Sequence, residues 1–271
     1  MINFLYTTII GRFLLKLLIR PVLSKIAGSM IRSPASRLFI KGFIERNNID
    51  MNDYKTVEFK SFDDFFIREI KEGLRPFPGN DSDLLSPCDG KLTIYPITPD
   101  SVFTVKRSRY SVRDLLQESG LADEFSGGVC LVFRLTPDDY HRYCYIDDGE
   151  VMIRMVIPGV LHTVQPIACE TLDVYCQNSR EYEVLETKNF GKIVQMEVGA
   201  FFVGKITNHN QNRTFKRSDE KGMFQFGGST VILLLKKDTV AIDSEILDKS
   251  ANGAETVIKM GSRIGVKHLL S

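Results

Sequence analysis

Phe226-Gly227-Gly228-Ser229-Thr230-Val231-Ile232 places a serine directly after two glycines, at the mouth of a strongly apolar run that continues to Leu235 and reads as a β strand. A serine hydroxyl in this position can attack the carbonyl that precedes its own nitrogen. Glycines at 227 and 228 lower the steric cost of the backbone distortion that an N-to-O acyl shift requires. Gly-Gly-Ser is also an ordinary turn before a strand, and taken alone the turn is its commoner meaning.

Around this strand the body of the chain is rich in β-like runs: 91–95, 129–135, 151–157, 171–175, 192–198, 201–206 and 230–235. Ser111-Val112-Arg113-Asp114-Leu115-Leu116 is the clear helix among them. Helical patterns dominate before residue 75. Ser33 with Pro34 reads as an N-cap and first turn for a helix presenting Leu38, Phe39, Phe43 and Ile44, and Ser61 with Asp64 as a capping-box start for one carrying Phe62, Phe65, Phe66 and Ile70. The loop Arg75-Pro76-Phe77-Pro78-Gly79-Asn80-Asp81 breaks that pattern. The expected fold is therefore α+β, with N-terminal amphipathic helices over residues 1–75 and a mostly antiparallel β-rich catalytic domain over 76–271. Strand order stays open.

Residues 1–32 are apolar but interrupted by Arg12, Lys16 and Arg20, whose spacing of four lines the cations along one stripe of a helix. The uncharged opening run ends at Gly11, short of the roughly 20 residues a spanning helix needs. An early positive segment and a small-residue cleavage site, which a signal peptide would carry, are missing. The pattern fits a helix lying in a membrane interface with its cations toward anionic headgroups. Its alternative is a helix packed on the protein's own core.

With 35 basic against 34 acidic residues, the chain carries no nucleic-acid signature, and 43% apolar with 25% charged residues describes a globular fold rather than a disordered one. Cys88, Cys130, Cys144, Cys169 and Cys176 form an odd set without a Cys-x-x-Cys pair, which argues against a disulfide framework or a zinc site and for a reducing compartment.

Three further segments bear on the serine: Ser86-Pro87-Cys88-Asp89-Gly90, Pro137-Asp138-Asp139-Tyr140-His141-Arg142-Tyr143, and Pro158-Gly159-Val160-Leu161-His162-Thr163-Val164. Taken singly, Asp89 is a turn residue, His141 a loop residue and His162 a partly buried histidine. Together with the Glu220–Thr230 stretch, in this order and spacing, the chain from about Ser61 to Val266 resembles the phosphatidylserine decarboxylase family.

The resemblance implies a proenzyme that cuts itself between Gly228 and Ser229 into a β chain (1–228) and an α chain (229–271). It implies that Ser229 becomes an N-terminal pyruvoyl group, by elimination from the serine ester and hydrolysis with loss of ammonia. That group is the cofactor, with no metal and no pyridoxal phosphate. It forms a Schiff base with phosphatidylserine and takes up the electrons that CO2 leaves behind, giving phosphatidylethanolamine. His141 is expected to move protons, and His162 to contact substrate. The implied setting is the cytoplasmic face of the cell membrane, as a peripheral protein, with a homodimer left open.

One position departs from the family pattern. Many members read Tyr-His-Arg-x-His, and the second histidine there joins the aspartate and serine as a self-cleavage triad. Here that position is Cys144, while Asp89 and Ser229 carry over. The base is then His141, Cys144 as thiolate, or His162, and His141 held by Asp89 is the expectation. Two other functions stay in view: a lipid-binding relative that no longer matures, and a decarboxylase for another amino-acid headgroup.

Overall fold

The computed structural model describes residues 2–19, 28–105, 108–169, 172–200, 205–209, 211–225 and 229–268, without the side chains of residues 2, 3, 7, 9, 12 and 16–18. The fold is α+β. Its centre is an eight-stranded antiparallel sheet in the order Thr214–Phe215, Gly149–Ile157, Arg180–Thr187, Gly191–Gly199, Ser229–Leu235, Val129–Leu135, Gly90–Pro96, Thr256–Ile258.

The apolar run that opens at Ser229 lies inside this sheet, paired on both sides and buried at every residue. Because strand side chains alternate, Ile232 and Leu234 enter one core with Val132, Val194 and Met196, while Val231, Leu233 and Leu235 enter a second with Leu131, Phe133 and Ile193. A strand covered on both faces has no polar side, hence the uninterrupted Val-Ile-Leu-Leu-Leu. A small sheet, Ile206–Asn208, Glu220–Phe224 and Arg142–Cys144, lies beside the second core.

Two segments differ from their sequence pattern, and a third lies mostly outside the described residues. In the expected strand 171–175, Val174–Gln177 is a helical turn, with the amides of Cys176 and Gln177 donating to the Asp173 carbonyl at 3.0 Å; burial of Val174 and Tyr175 in the first core overrides their β preference. Residues 201–204 of the expected strand 201–206 lie outside the described residues, and the strand in this region is Ile206–Asn208. Arg180–Thr187 is a full strand that apolar alternation does not reveal. Its buried Arg180 donates to the carbonyls of Asp114, Leu115, Cys176 and Asn178, so a charge is hidden in a position that would ordinarily be apolar.

Ser61 caps the helix Phe62–Phe66 as expected: its Oγ accepts the Asp64 amide at 3.1 Å, and the Asp64 carboxylate accepts the Lys60 amide at 2.8 Å. Ser33 does not cap. Its hydroxyl donates to the Met30 carbonyl, Pro34–Phe39 forms a 3-10 turn, and the α-helix runs Ile40–Asn47. Phe62, Phe65 and Phe66 pack with Ile49, Tyr54 and Tyr140 into a third cluster, which fastens the helical segment onto the turn carrying His141.

The helices Ile2–Thr7 and Ile9–Leu18 bury Leu5, Tyr6 and Leu15, with Ile19 beyond, in the first core. On this face the packed-core alternative holds. Phe4, Ile10, Phe13 and Leu14 are exposed on these helices, whereas the side chains of Arg12 and Lys16 and all of Arg20 lie outside the described residues. No described helix is long and apolar enough to cross a membrane.

Phe65 is fully buried, so Phe65→Ala should lower unfolding free energy by about 3–5 kcal/mol through lost transfer energy and a residual cavity. Leu38→Ser, at an 85% exposed residue, should change it by no more than about 0.5 kcal/mol. Urea unfolding of the two variants checks both values.

Candidate active site

Ser229 is the first residue of the central strand, opposite Leu135 on one neighbour and Gly199 on the other, and is fully buried. His141 stands just before the strand Arg142–Cys144, at the end of a turn that leaves the Val129–Leu135 strand. The turn is closed by its own polar groups: the Asp139 amide donates to the Thr136 carbonyl at 2.9 Å, and the Asp139 carboxylate accepts the Thr136 amide at 2.7 Å. Lys91 ties it to the sheet with a 2.8 Å bond to Asp139.

This geometry brings His141 Nδ1 to 3.1 Å from Ser229 Oγ and His141 Nε2 to 3.0 Å from the Thr136 carbonyl oxygen. A carbonyl only accepts, so the ring proton sits on Nε2 and Nδ1 offers a lone pair to the serine hydroxyl. The Phe66 ring covers the imidazole, with centroids 4.2 Å apart. Burial first, and the Arg68 charge second, push the imidazole from its ordinary 6.5 down to about 3. The histidine facing Ser229 is therefore neutral at pH 7. A buried serine hydroxyl is joined to a neutral acceptor whose tautomer is fixed from behind, which is the arrangement that activates a nucleophile.

Asp89 occupies a different position from the one expected. It is fully buried, and its carboxylate accepts from Arg75 Nε at 2.9 Å, Arg75 Nη2 at 2.8 Å and the Met260 amide at 2.8 Å, with Lys259 Nζ at 3.1 Å. Burial would raise this carboxyl, but the Arg75 fork, Lys259 and the Met260 amide outweigh it and hold it below the ordinary range. With its lone pairs so engaged, no hydrogen bond joins Asp89 to His141 among the described residues. The role expected of Asp89, fixing the ring of His141, falls to the Thr136 carbonyl. Gly90 makes the tight approach behind it: its φ is +155°, and a Cβ there would stand 3.1 Å from the Arg134 carbonyl oxygen.

Cys144 is buried with its thiol donating to the Pro87 carbonyl at 3.3 Å, and burial pushes that thiol well up. A thiol held neutral in this way is a poor base. His162 is turned toward the N-terminal helices. Tyr6 Oη accepts the Thr163 amide at 3.2 Å and shares a hydrogen bond with His162 Nδ1 at 3.1 Å. Its link to Ser229 is indirect: Asn178 Nδ2 donates to the carbonyls of both His162 and Gly199, and Gly199 pairs with Ser229. Gly228, the residue before the serine, lies outside the described residues. Among the described residues no group of three His, Cys, Asp or Glu side chains converges to hold a metal ion.

Sequence reasoning missed Thr136, Arg75 and Phe66. Thr136 acts through its backbone and Phe66 through ring packing, and neither marks a sequence as catalytic. Arg75 was visible only as part of a loop.

Residues 62–266 match the family model described as phosphatidylserine decarboxylase. Among curated proteins, the chain is 51% identical to phosphatidylserine decarboxylase proenzyme 2 of Clostridium acetobutylicum, over 97% of this chain and 91% of that protein. The chain belongs to the phosphatidylserine decarboxylase family. It is also 40% identical to the phosphatidylserine decarboxylase proenzyme of Clostridium perfringens, over 98% of this chain and 92% of that one, and 41% identical to that of Ruminiclostridium cellulolyticum, over 98% and 90%. Family membership extends over both the helical segment and the sheet, so the Ser229–His141 pair lies within the matched region.

The tautomer of His141 is directly measurable. In 15N-labelled protein at pH 7, its ring should show protonated Nε2 and bare Nδ1, and it should stay neutral well below the pH at which exposed histidine takes up a proton. An imidazolium at pH 6 would contradict this geometry.

Proposed function

We propose that this chain matures by cutting itself at the Gly228–Ser229 bond, and that the pyruvoyl group made from Ser229 serves the decarboxylation of phosphatidylserine to phosphatidylethanolamine. The observation that carries this is the 3.1 Å contact between Ser229 Oγ and a neutral His141 Nδ1 in a buried site. The steps that form the group ask one thing of the surroundings at the start, which is removal of the hydroxyl proton so that Oγ can attack the preceding carbonyl. His141 accepts that proton at Nδ1 while Nε2–H stays on Thr136. The same burial makes any imidazolium formed at this position a strong acid, which suits later delivery of a proton to the carbon that loses CO2.

Position 229 fits a pyruvoyl group. It is fully buried, and Thr230 beside it holds a buried hydroxyl without a hydrogen-bond partner among the described residues. When present, the group supplies a carbonyl that condenses with the substrate amine and delocalises the electrons left on the α-carbon. His141 faces the residue from which it is made, and Phe66 covers the imidazole.

The departure at Cys144 motivated the alternative of a lipid-binding relative that no longer matures. Ser229 is nevertheless paired with His141, whose second nitrogen already has its partner, so a cysteine at 144 leaves the serine with a base. We place the chain as a peripheral protein on the cytoplasmic face of the cell membrane; contact with a lipid surface is supported by the apolar side chains that the helical segment exposes, Phe4, Ile10, Phe13, Leu14, Leu38 and Phe39. In this reading residues 1–75 meet the lipid and 76–271 perform the chemistry.

Ser229→Ala should leave one intact chain with no decarboxylase activity, because the attacking oxygen and the source of the carbonyl are both gone. His141→Ala should also stay intact, whereas Cys144→Ala should yield two chains. Intact mass spectrometry reads chain cleavage and loss of the serine nitrogen together; two chains from Ser229→Ala would sink the mechanism.

For the membrane, replacing Phe4, Ile10, Phe13 and Leu14 by serine should weaken co-sedimentation with anionic vesicles while two chains still form. This is cleaner than deleting residues 1–20, since Leu5, Tyr6 and Leu15 belong to the core. Undiminished sedimentation would move the contact surface elsewhere.

A further inference from the structure

Arg68 follows the Phe62–Phe66 helix, is 3% exposed, and forms no ion pair with any described carboxylate. Its neighbours are neutral. Nη2 points at the Asp139 carbonyl at 3.3 Å, the Asp138 carbonyl at 3.5 Å and the Tyr54 hydroxyl at 3.2 Å, Nη1 at the Phe66 carbonyl at 3.5 Å, and Nε has no partner among the described residues. The guanidinium carbon lies 4.3 Å from the centroid of the Tyr54 ring and 4.9 Å from that of Phe65. A charge held this deep without a counter-charge is destabilising, and the molecule keeps it beside the turn that ends in His141.

We propose that Arg68 is a positioning residue for self-cleavage: from the helical segment it pins the turn that presents His141 to Ser229. This rests on His141 being the base. Two consequences of the geometry separate it from an ordinary packing contact. Nη2 reaches the carbonyls of residues 138 and 139 while Nη1 reaches that of Phe66, so the turn is held at its backbone within three residues of the imidazole and joined to the end of the helix. An arginine neutralised by a carboxylate would project little field. Without one, its charge reaches His141 and, together with burial, keeps the ring neutral and its Nδ1 lone pair available before the Ser229 proton is transferred.

The charged groups acting on the imidazole are Arg68 from the helical segment, Lys91 from the Gly90–Pro96 strand and Asp138 from its own turn; the Ser229 hydroxyl and the Phe66 ring are neutral. Lys91 is paired with Asp139 at 2.8 Å. Of these two cations, Arg68 is thus the one whose field is not cancelled at short range.

The test follows pulse-labelled full-length chain as one band becomes two, across a range of pH, for wild type, Arg68→Met, Arg68→Lys and His141→Ala. Arg68→Met should slow conversion about tenfold or more at pH 7.5, a modest share of what a mispositioned base can cost, and should move the acid limb of the rate profile to higher pH. Arg68→Lys keeps the charge without the fork, so it should be slow with its acid limb unmoved. Arg68→Met converting at the wild-type rate would overturn the proposal. So would a slow Arg68→Met whose acid limb stays in place, since loss of packing alone would act that way.

If Arg68→Met does not fold, by thermal melting against the wild type, the decision passes to Arg68→Gln, which also removes the charge, and to Arg68→Lys and Tyr54→Phe, the latter removing only a hydroxyl that Arg68 contacts. Slowing in Arg68→Lys and Tyr54→Phe with unmoved acid limbs, together with a raised acid limb in Arg68→Gln, supports the proposal; wild-type rates in both, or an unmoved limb in Arg68→Gln, overturn it. A His141→Ala chain that still converts would overturn the base assignment itself. With His141→Ala stalled, a fast Arg68→Met faults only the positioning role of Arg68.

Discussion

A histidine that takes a proton from a serine must be neutral and must present a bare nitrogen to the hydroxyl. Both conditions are met at His141 by groups that are not themselves reactive. Burial under Phe66 removes the water that would stabilise imidazolium, and the Thr136 carbonyl fixes the remaining ring proton on Nε2. A carboxylate in the place of Thr136 would favour the charged ring and raise its proton affinity. A main-chain carbonyl orients the ring more gently. The stacking of the helical segment on the 136–141 turn, the cap at Ser61 and the third aromatic cluster all bear on this one contact.

The position of the serine has a second consequence. The segment after residue 228 is woven through the molecule: Ser229–Leu235 pairs on both sides within the large sheet, and Thr256–Ile258 closes its edge. Asp89, before residue 228, is held by Lys259 and the Met260 amide after it, and Arg134 is clamped by Glu255 at 2.7 and 2.6 Å. Breaking the 228–229 bond would therefore sever the chain without parting the fold. The engagement of Asp89 with Arg75 and Lys259 also gives this residue a structural reason to be an acid, separate from any part in moving protons.

What could be read from sequence follows what each residue does with its side chain. The runs 129–135 and 230–235 were legible because both faces of those strands are apolar, and Ser61 because a cap is made by a hydroxyl at a fixed spacing. Arg180–Thr187 was not, since its buried arginine is satisfied by carbonyls that no local pattern announces. In the site, Ser229 and His141 were legible as a pair only through ordered motifs, and the structure brings them together. The partner of His141 was not legible. Thr136 contributes a carbonyl, which every residue possesses, and Asp89 drew attention by its chemistry although its lone pairs serve the loop around it.

Cys144 illustrates the same limit from the other side. Seen as a letter, it replaces a histidine and puts the base in doubt. Seen in place, its thiol is spent on Pro87 and its strand neighbour is Glu220, while the serine faces the histidine three residues earlier. A reactive thiolate would need exposure or a nearby cation to hold its charge; this sulfur is enclosed, and among the described residues the charges acting on it are those of Glu220 and Asp219, which add negative field. In the proposed maturation the cysteine is tolerated, because what that step asks for is a neutral ring with one free nitrogen, and one such ring is in contact with Ser229.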